Sequence, residues 1–174
     1  MKTFAFGLFI VVLSMVMSQP WIEMYNMVKD KITLDAAILS ACRVAARHAL
    51  DEDYYNTDVN FGDLNANVDE DEFKYYFADA FEKTLNVDRS ASSSGEITFT
   101  PRDRHWKDIK IMLDFHYNDG AFTGRKVTKV IIKLETKYSF RTPLMSSIAT
   151  SLAHVSELEF IMGINRPYVI QIIN

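Results

Sequence analysis

Uncharged hydrophobic residues fill the start of the chain, and no later stretch repeats this pattern. Residues 3–17, TFAFGLFIVVLSMVM, carry no charge, and their two hydroxyl groups can bond to carbonyls of the same helix. Continued through Trp21 and Ile22, the apolar length approaches the ~20 residues that cross a bilayer. Trp21 and Tyr25 then fall where aromatic side chains collect at membrane surfaces. We predict a membrane and assembly helix that uses Phe4, Phe6, Leu8, Phe9, Ile10, Val11, Val12, Leu13, Val16, Pro20, Trp21 and Tyr25.

A second helical pattern follows Pro20. In residues 28–50, apolar or small side chains recur at three- and four-residue steps, including Ile32, which predicts an amphipathic helix. Small side chains let a neighbouring backbone approach closely, so we predict helix packing through Ala36, Leu39, Ala41, Cys42, Ala45, Ala46 and Ala49. Alternatively, the alanines favour helix formation and the stripe covers the domain's own sheet. Pro20 removes one backbone hydrogen bond and predicts a kink between the two patterns.

Acidic and amide side chains dominate residues 51–72, which predicts a loop. Four of them alternate as in oxygen-donor calcium loops: Asp63, Asn65, Asn67 and Asp69. The sequence lacks the turn glycine and the closing glutamate of such loops, which weakens the calcium hypothesis. We favour a capping box instead, in which Asp69 and Glu72 begin the helix EFKYYFADAFEKTLNV.

Alternation of apolar and polar residues predicts strands in the second half of the chain. In residues 108–117, DIKIMLDFHY, and 126–140, KVTKVIIKLETKYSF, apolar side chains occupy every second position. The intervening NDGAFTG predicts a hairpin turn, so we expect these two strands to pair antiparallel. Residues 96–100 and 158–164 predict shorter strands, and residues 169–173 are a candidate edge strand.

Two shorter signals complete the predicted fold. SASSSG, residues 90–95, is typical of a flexible joint, and Thr142 followed by Pro143 predicts the start of a helix between two strands. The fold class is therefore α+β: a long, kinked, membrane-spanning N-terminal helix packed on an antiparallel sheet of about four strands. We assign residues 1–27 to the membrane and assembly helix and residues 28–174 to the globular domain.

Composition excludes several classes of function. The net charge of −4 gives no broad cationic surface for nucleic acid, and the single cysteine, Cys42, excludes a disulfide framework or a thiolate zinc site. The four histidines do not stand at metal-ligand spacing, and the sequence has no nucleophile elbow, phosphate-binding loop or dinucleotide fingerprint. We therefore expect no catalysis, no cofactor and no small-molecule substrate.

The apolar start also has the length of a signal peptide. Lys2 supplies a minimal charged region, and residues 16–18 stand where a cleavage site would be. These residues are not the small-x-small pattern, however, and Pro20 follows closely. Because apolar and small residues continue at helical spacing beyond this point, we favour retention of the segment.

Two parts of the sequence resemble one known family. An N-terminal membrane helix that continues into AILSACRVAARHAL is similar to TadE-like proteins, the pseudopilins or minor pilins of tight-adherence, type IV-like pili. The distal part of the family, a strand, a Thr-Pro turn, an apolar helix and a further strand, resembles VTKVIIKLETKYSFRTPLMSSI followed by ELEFIMGINRPY.

The chain departs from pilins in one respect. Pilin precursors usually carry a glycine before the cleavage point and a glutamate five residues later. Gly7 here precedes LFIVVLSM, which contains no acid.

The resemblance implies a structural subunit of a pilus or related secretion filament, without catalytic activity. Its partners would be membrane lipid before assembly, and then copies of itself or other pilin subunits. Its C-terminal domain would lie outside the cell membrane or in an extracellular filament. The alternative function is a secreted or membrane-tethered extracellular binding module, whose N-terminal segment is a signal or an anchor.

Overall fold

The computed structural model describes residues 2–49, 68–93, 95–102, 106–118, 126–156 and 160–170. Its elements, in chain order, are α1 (Lys2–His48), α2 (Glu70–Leu85), β1 (Val87–Ser92), β2 (Glu96–Pro101), β3 (Trp106–Asn118), β4 (Lys126–Tyr138), α3 (Pro143–Ser156) and β5 (Ile161–Val169). This order confirms the predicted α+β class, with a long N-terminal helix and the predicted helix α3 inserted between two strands.

The five strands form one antiparallel sheet in the order β1-β2-β3-β4-β5, so each strand pairs with its neighbour in sequence. The prediction of about four strands missed β1, part of which was interpreted as a flexible joint. Val87 is the only buried residue of this serine-containing edge strand, so it carries no alternating apolar signal. It forms because its backbone pairs with β2, from Val87 opposite Pro101 to Ser92 opposite Ile97.

One face of the sheet holds the core, and the alternation of residues decides which face. Its buried strand residues are Ile97, Phe99, Ile109, Ile111, Leu113, Val130, Ile132, Leu134, Met162 and Ile164. Helix α2 covers the β2 and β3 side, where Phe81 lies 4.9 Å from Phe99 and Phe73 lies 5.6 Å from Phe115, ring centroid to ring centroid. The later half of α1 packs against α2 and β5. The predicted helix-on-sheet architecture is therefore present.

Helix α1 runs alongside β4 and β5. The Tyr138 hydroxyl, at the end of β4, donates a hydrogen bond to Glu23 at 2.8 Å, and Arg166 of β5 forms an ion pair with Asp35 at 3.0 Å. The helix rises about 18 Å between Glu23 and Asp35. The strand covers about 20 Å between Tyr138 and Ile132, which pairs with Arg166. Because the two lengths agree, the part of α1 before Glu23 must leave the domain at the end of the sheet where β4 stops.

Helix α2 begins at a side-chain cap, although the predicted capping box forms only in part. The Asp69 carboxylate accepts hydrogen bonds from the backbone N–H groups of Asp71 and Glu72 at 2.9 and 3.0 Å. The Asp69 N–H, which Glu72 would satisfy in a capping box, instead donates to the carbonyl of Ala49 at 3.2 Å. This bond joins the start of α2 to the end of α1.

Candidate functional site

The first part of α1 is not buried by any other residue that the structure describes. All side chains of residues 3–18 are exposed, and none of the most apolar 18-residue window of the helix is buried. The Ser14 and Ser18 hydroxyls donate to the carbonyls of Ile10 and Met15, both at 2.8 Å, so the helix satisfies these polar groups itself. We call residues 3–18 the uncovered segment. It is about 24 Å long and presents an apolar surface on all sides.

This helix is long and apolar enough to cross a membrane. The whole of α1 has 47 residues and continues through Pro20, so the proline does not end the helix. A signal sequence near the N-terminus would also meet these two criteria of length and composition. Within the described residues, α1 is the one helix that meets both criteria.

The uncovered segment ends where α1 meets the domain, at a cluster of polar groups that we call the helix–domain junction. On α1 it comprises Gln19, Glu23 and Asp30, and on the domain Tyr138, Arg141, Thr142 and Leu144. Glu23, only 2 % exposed, is at its centre. Its carboxylate accepts hydrogen bonds from the Tyr138 hydroxyl at 2.8 Å, the Arg141 N–H at 2.5 Å and the Thr142 N–H.

Two further contacts complete the junction. The Gln19 amide oxygen accepts a hydrogen bond from the Leu144 N–H at 3.0 Å. The Arg141 guanidinium donates to the buried Asp30 carboxylate at 2.7 Å. Helix α3 therefore begins against acceptors supplied by α1, which take up backbone N–H groups that have no partner within a first helical turn.

The hydrogen bonds at the junction favour ionised Glu23. Burial opposes the charge, but the donors Thr142, Tyr138 and Arg141 outweigh it and hold the pKa of Glu23 below its ordinary value. Burial and the neighbouring Glu23 carboxylate raise the pKa of Tyr138, so its hydroxyl stays protonated and donates. The junction is a charged acceptor surrounded by fixed donors, which is an arrangement that holds two elements together.

The predicted packing residues of α1 lie on two faces of the helix. Five are buried in the domain (Ala41, Cys42, Ala45, Ala46 and Ala49), Leu39 is half-buried, and Ala36 is exposed. Ile32, which belongs to the same predicted stripe, is exposed as well. Burial raises the pKa of Cys42 to about 12, so its thiol stays protonated and packs as a small apolar side chain.

The predicted aromatic residues Trp21 and Tyr25 are exposed on α1, beside the junction. Two aromatic residues of the domain, Phe140 and Phe160, connect to the junction through Tyr138. Phe140 packs edge-to-face on Tyr138, at 5.5 Å between ring centroids, and on Phe160 at 4.6 Å.

No match to the chain was found among protein-family models, curated proteins or solved structures. What the chain does must therefore be inferred from its own residues.

The structure describes only one of the four predicted calcium ligands. Asp69 serves as the cap of α2, while Asp63, Asn65 and Asn67 lie outside the described residues, so the hypothesis stays a prediction. Among the residues that the structure describes, no three His, Cys, Asp or Glu side chains are grouped as metal ligands.

Sequence reasoning missed the junction, although a signal for it exists. Gln19, Glu23 and Asp30 follow one another at steps of four and seven residues, and the same helix face continues into the buried Leu34 and Ile38. Acids at core-facing positions of a helix need buried partners. The spacing alone does not reveal that these partners come from the turn between β4 and α3.

Proposed function

We propose that this protein is a structural subunit of a pilin or pseudopilin type, anchored in a membrane and assembled through its apolar N-terminal helix. The observation that carries the proposal is the uncovered segment, a continuous helical extension whose side chains are all exposed within the described chain. Each large apolar side chain gains about 1.5–3 kcal/mol when it leaves water. A segment with this many such side chains is stable only when lipid or other helices surround it.

The absence of charge in residues 3–18 suits both of these surroundings. The same surface can face acyl chains before assembly and the helices of other subunits afterwards, since neither requires a charged partner. Glu23 is the first acid in the chain, and it is used within the subunit. Contacts between uncovered segments would therefore be apolar, unlike those of pilins that place a glutamate early in the helix.

The junction attaches α1 firmly to the domain, as such an assembly requires. Several hydrogen bonds fix the helix to the domain at the point where the helix emerges. A rigid attachment lets the packing of the apolar helices set the positions of the domains. In this proposal the domain lies on the extracellular side of the membrane or on the outside of a filament.

A second candidate function is a secreted or tethered extracellular binding module. One observation favours it: among the described residues, hydrogen bonds between α1 and the domain begin at Gln19, so the junction keeps all its members if residues 3–18 are removed. The two candidates differ in the mature N-terminus, since a signal peptide is removed and an assembly helix is kept.

Membrane fractionation with matched variants tests the proposal. Val11, in the middle of the uncovered segment, and Met112, on the outer face of β3, are exposed to similar extents, 50 % and 45 %. We expect the full chain and Met112→Lys to sediment with membranes after an alkaline carbonate wash, a chain lacking residues 3–18 to be released, and Val11→Lys to be extracted to a greater extent than Met112→Lys. A lysine in the hydrocarbon region costs several kcal/mol, whereas one on a sheet surface costs little.

Electron microscopy of the same four samples tests assembly. We expect filaments from the full chain and Met112→Lys, and none from the chain lacking residues 3–18 or from Val11→Lys, whose charge would be unpaired among packed apolar helices. Filaments from the chain without residues 3–18 would contradict the proposed function.

A further inference from the structure

Helix α3 occupies a defined end of the domain. It connects β4 to β5, which are paired neighbours, and therefore lies at the end of the sheet where β4 stops and β5 starts. Tyr138 and Glu23 meet at this end, and the uncovered segment of α1 leaves the domain from the same place. The Leu144 N–H of α3 bonds directly to Gln19, the residue that follows the uncovered segment.

The composition of α3 is unusual for a helix on the surface of a domain. Residues 143–156, PLMSSIATSLAHVS, contain no Asp, Glu, Lys or Arg. None of residues 143–152 is buried, although Ile148 and Leu152 are large apolar side chains. Exposed surface helices usually combine an apolar stripe facing the core with a charged face toward water. Here, Ile148 and Leu152 are exposed, while Leu144, Met145 and Ala149 on the same apolar face are half-buried.

Two hydroxyl groups of α3 are satisfied within the helix. The Thr150 and Ser151 hydroxyls donate to the carbonyls of Ser146 and Ser147, at 2.8 and 2.9 Å. The start of the helix uses acceptors from α1, as described above. Because the Thr150 and Ser151 hydroxyls and the Leu144 N–H already have protein partners, these groups lose little when water around the helix is reduced.

Further exposed apolar side chains belong to the same end of the domain. Phe160 and Ile161, where β5 begins, are 39 % and 60 % exposed. Phe160 contacts Phe140, which lies just before α3. Together with Ile148 and Leu152, they account for four of the seven large apolar side chains of residues 68–170 that the structure describes as exposed. This concentration on one end is not expected for a surface that faces water alone.

We propose that α3 is an interfacial helix, which lies in the headgroup region of the same bilayer that holds the uncovered segment and places Ile148 against acyl chains. The inference rests on the proposed function, because residues 3–18 must hold the chain at a membrane. Its occupant is lipid, since α3 is fixed beside the exit point of the anchor. An uncharged helix needs no anionic headgroups, so the contact should form equally with zwitterionic lipid.

Fluorescence from single labelled cysteines in the full chain tests this placement. The chain is incorporated into nanodiscs of phosphatidylcholine, with or without a quarter of phosphatidylglycerol, and an environment-sensitive NBD label is attached to Ile148→Cys. Met112→Cys is the matched control, because Met112 and Ile148 are 45 % and 42 % exposed but Met112 lies on the outer sheet face. Thr150→Cys, on the polar side of α3, is the second control. Cys42 is buried, so the unsubstituted chain serves as the labelling blank.

The probe is a lipid with a nitroxide near the headgroup. We expect it to quench the label at position 148 at least about twofold more than the label at 112, because interfacial helices bury one face ~5–10 Å deep. Quenching at position 150 should lie between these two values. Equal quenching at 148 and 112 would overturn the inference. A blue-shifted label at 148 that lipid nitroxides do not quench would also overturn it, and would indicate that protein covers this face. Failure of the chain to enter nanodiscs would instead contradict the proposed anchor, so the two failures are distinguishable.

Discussion

At the scale of single residues, Glu23 connects the two parts of the molecule. A carboxylate on a core-facing position of α1 would be unfavourable without partners, because a buried charge requires hydrogen bonds. Tyr138 and the backbone of Arg141 and Thr142 supply them. The attachment of α1 to the domain therefore depends on a residue that the apolar pattern of the helix does not include.

Replacement of Glu23 by alanine should destabilise the fold by about 3 kcal/mol, because three donors lose their acceptor inside the protein. Glu23→Gln, which keeps one acceptor oxygen, should cost about 1 kcal/mol. Denaturant unfolding of the full chain in mild detergent measures both values. Glu135→Ala is the control, since Glu135 is exposed on the outer sheet face and a surface change should stay within about 0.5 kcal/mol. Equal stabilities of Glu23→Ala and Glu135→Ala would show that the junction is not stabilising.

The contribution of Glu23 should also depend on pH. Its pKa in the folded chain lies below the ordinary value of 4.5, so the unfolded chain takes up the proton at a higher pH than the folded chain. The stabilisation is therefore complete above pH 4.5 and is lost as the pH falls through the lowered folded pKa. The difference in unfolding free energy between the wild type and Glu23→Gln should narrow as the pH is lowered from 7 to 3. The other carboxyl groups are common to both proteins and cancel, so a constant difference would contradict this account.

At the scale of elements, α1 uses two kinds of packing surface. Beyond the junction, its buried residues are mostly small, such as Ala41 and Ala45, which lets α2 approach closely; the ring of His48 stacks on Tyr76 at 4.3 Å between centroids. Along the uncovered segment the side chains are large and apolar. One continuous helix therefore changes from a close-packed core element to an extension that the described part of the chain leaves exposed.

Ala45→Leu and Ala36→Leu test where the close packing lies. Both substitutions add the same volume and favour helix equally, but Ala45 is buried and Ala36 is exposed. The larger side chain at position 45 should cost about 1–3 kcal/mol through overpacking. At position 36 it should change stability by less than about 0.5 kcal/mol. Thermal or denaturant unfolding of the two variants measures the contrast, and a reversed order would mean that the buried face is assigned wrongly.

The sequence predicts those elements in which the spacing of apolar residues shows which side is buried. The strands β3 and β4 show it plainly, since Ile109, Ile111 and Leu113 alternate with polar residues and are buried as expected. The edge strand β1 has one buried residue, so only its pairing with β2 reveals it. The role of Glu23 could not be predicted either, because it depends on groups 115 to 119 residues away in the chain. Local patterns carry no information about such partners.

At the scale of the whole molecule, the chain consists of a folded α+β domain and an apolar extension. The domain has its own core, formed by α2, the later half of α1 and the inner face of the sheet. The extension starts where the junction ends and contributes nothing to that core. A surface of this size exists in the mature protein only if lipid or other subunits cover it, and this is the central claim of the proposed function.

The mass of the mature chain, isolated intact from the cells that make it and from both their membrane and soluble fractions, tests this claim most directly. We expect the protein in the membrane fraction, with a mass that includes all or most of residues 3–18, since an assembly helix must be retained. A soluble protein whose mass corresponds to a start near Gln19 would contradict the account, because the apolar extension would then be a signal peptide that the folded protein does not keep.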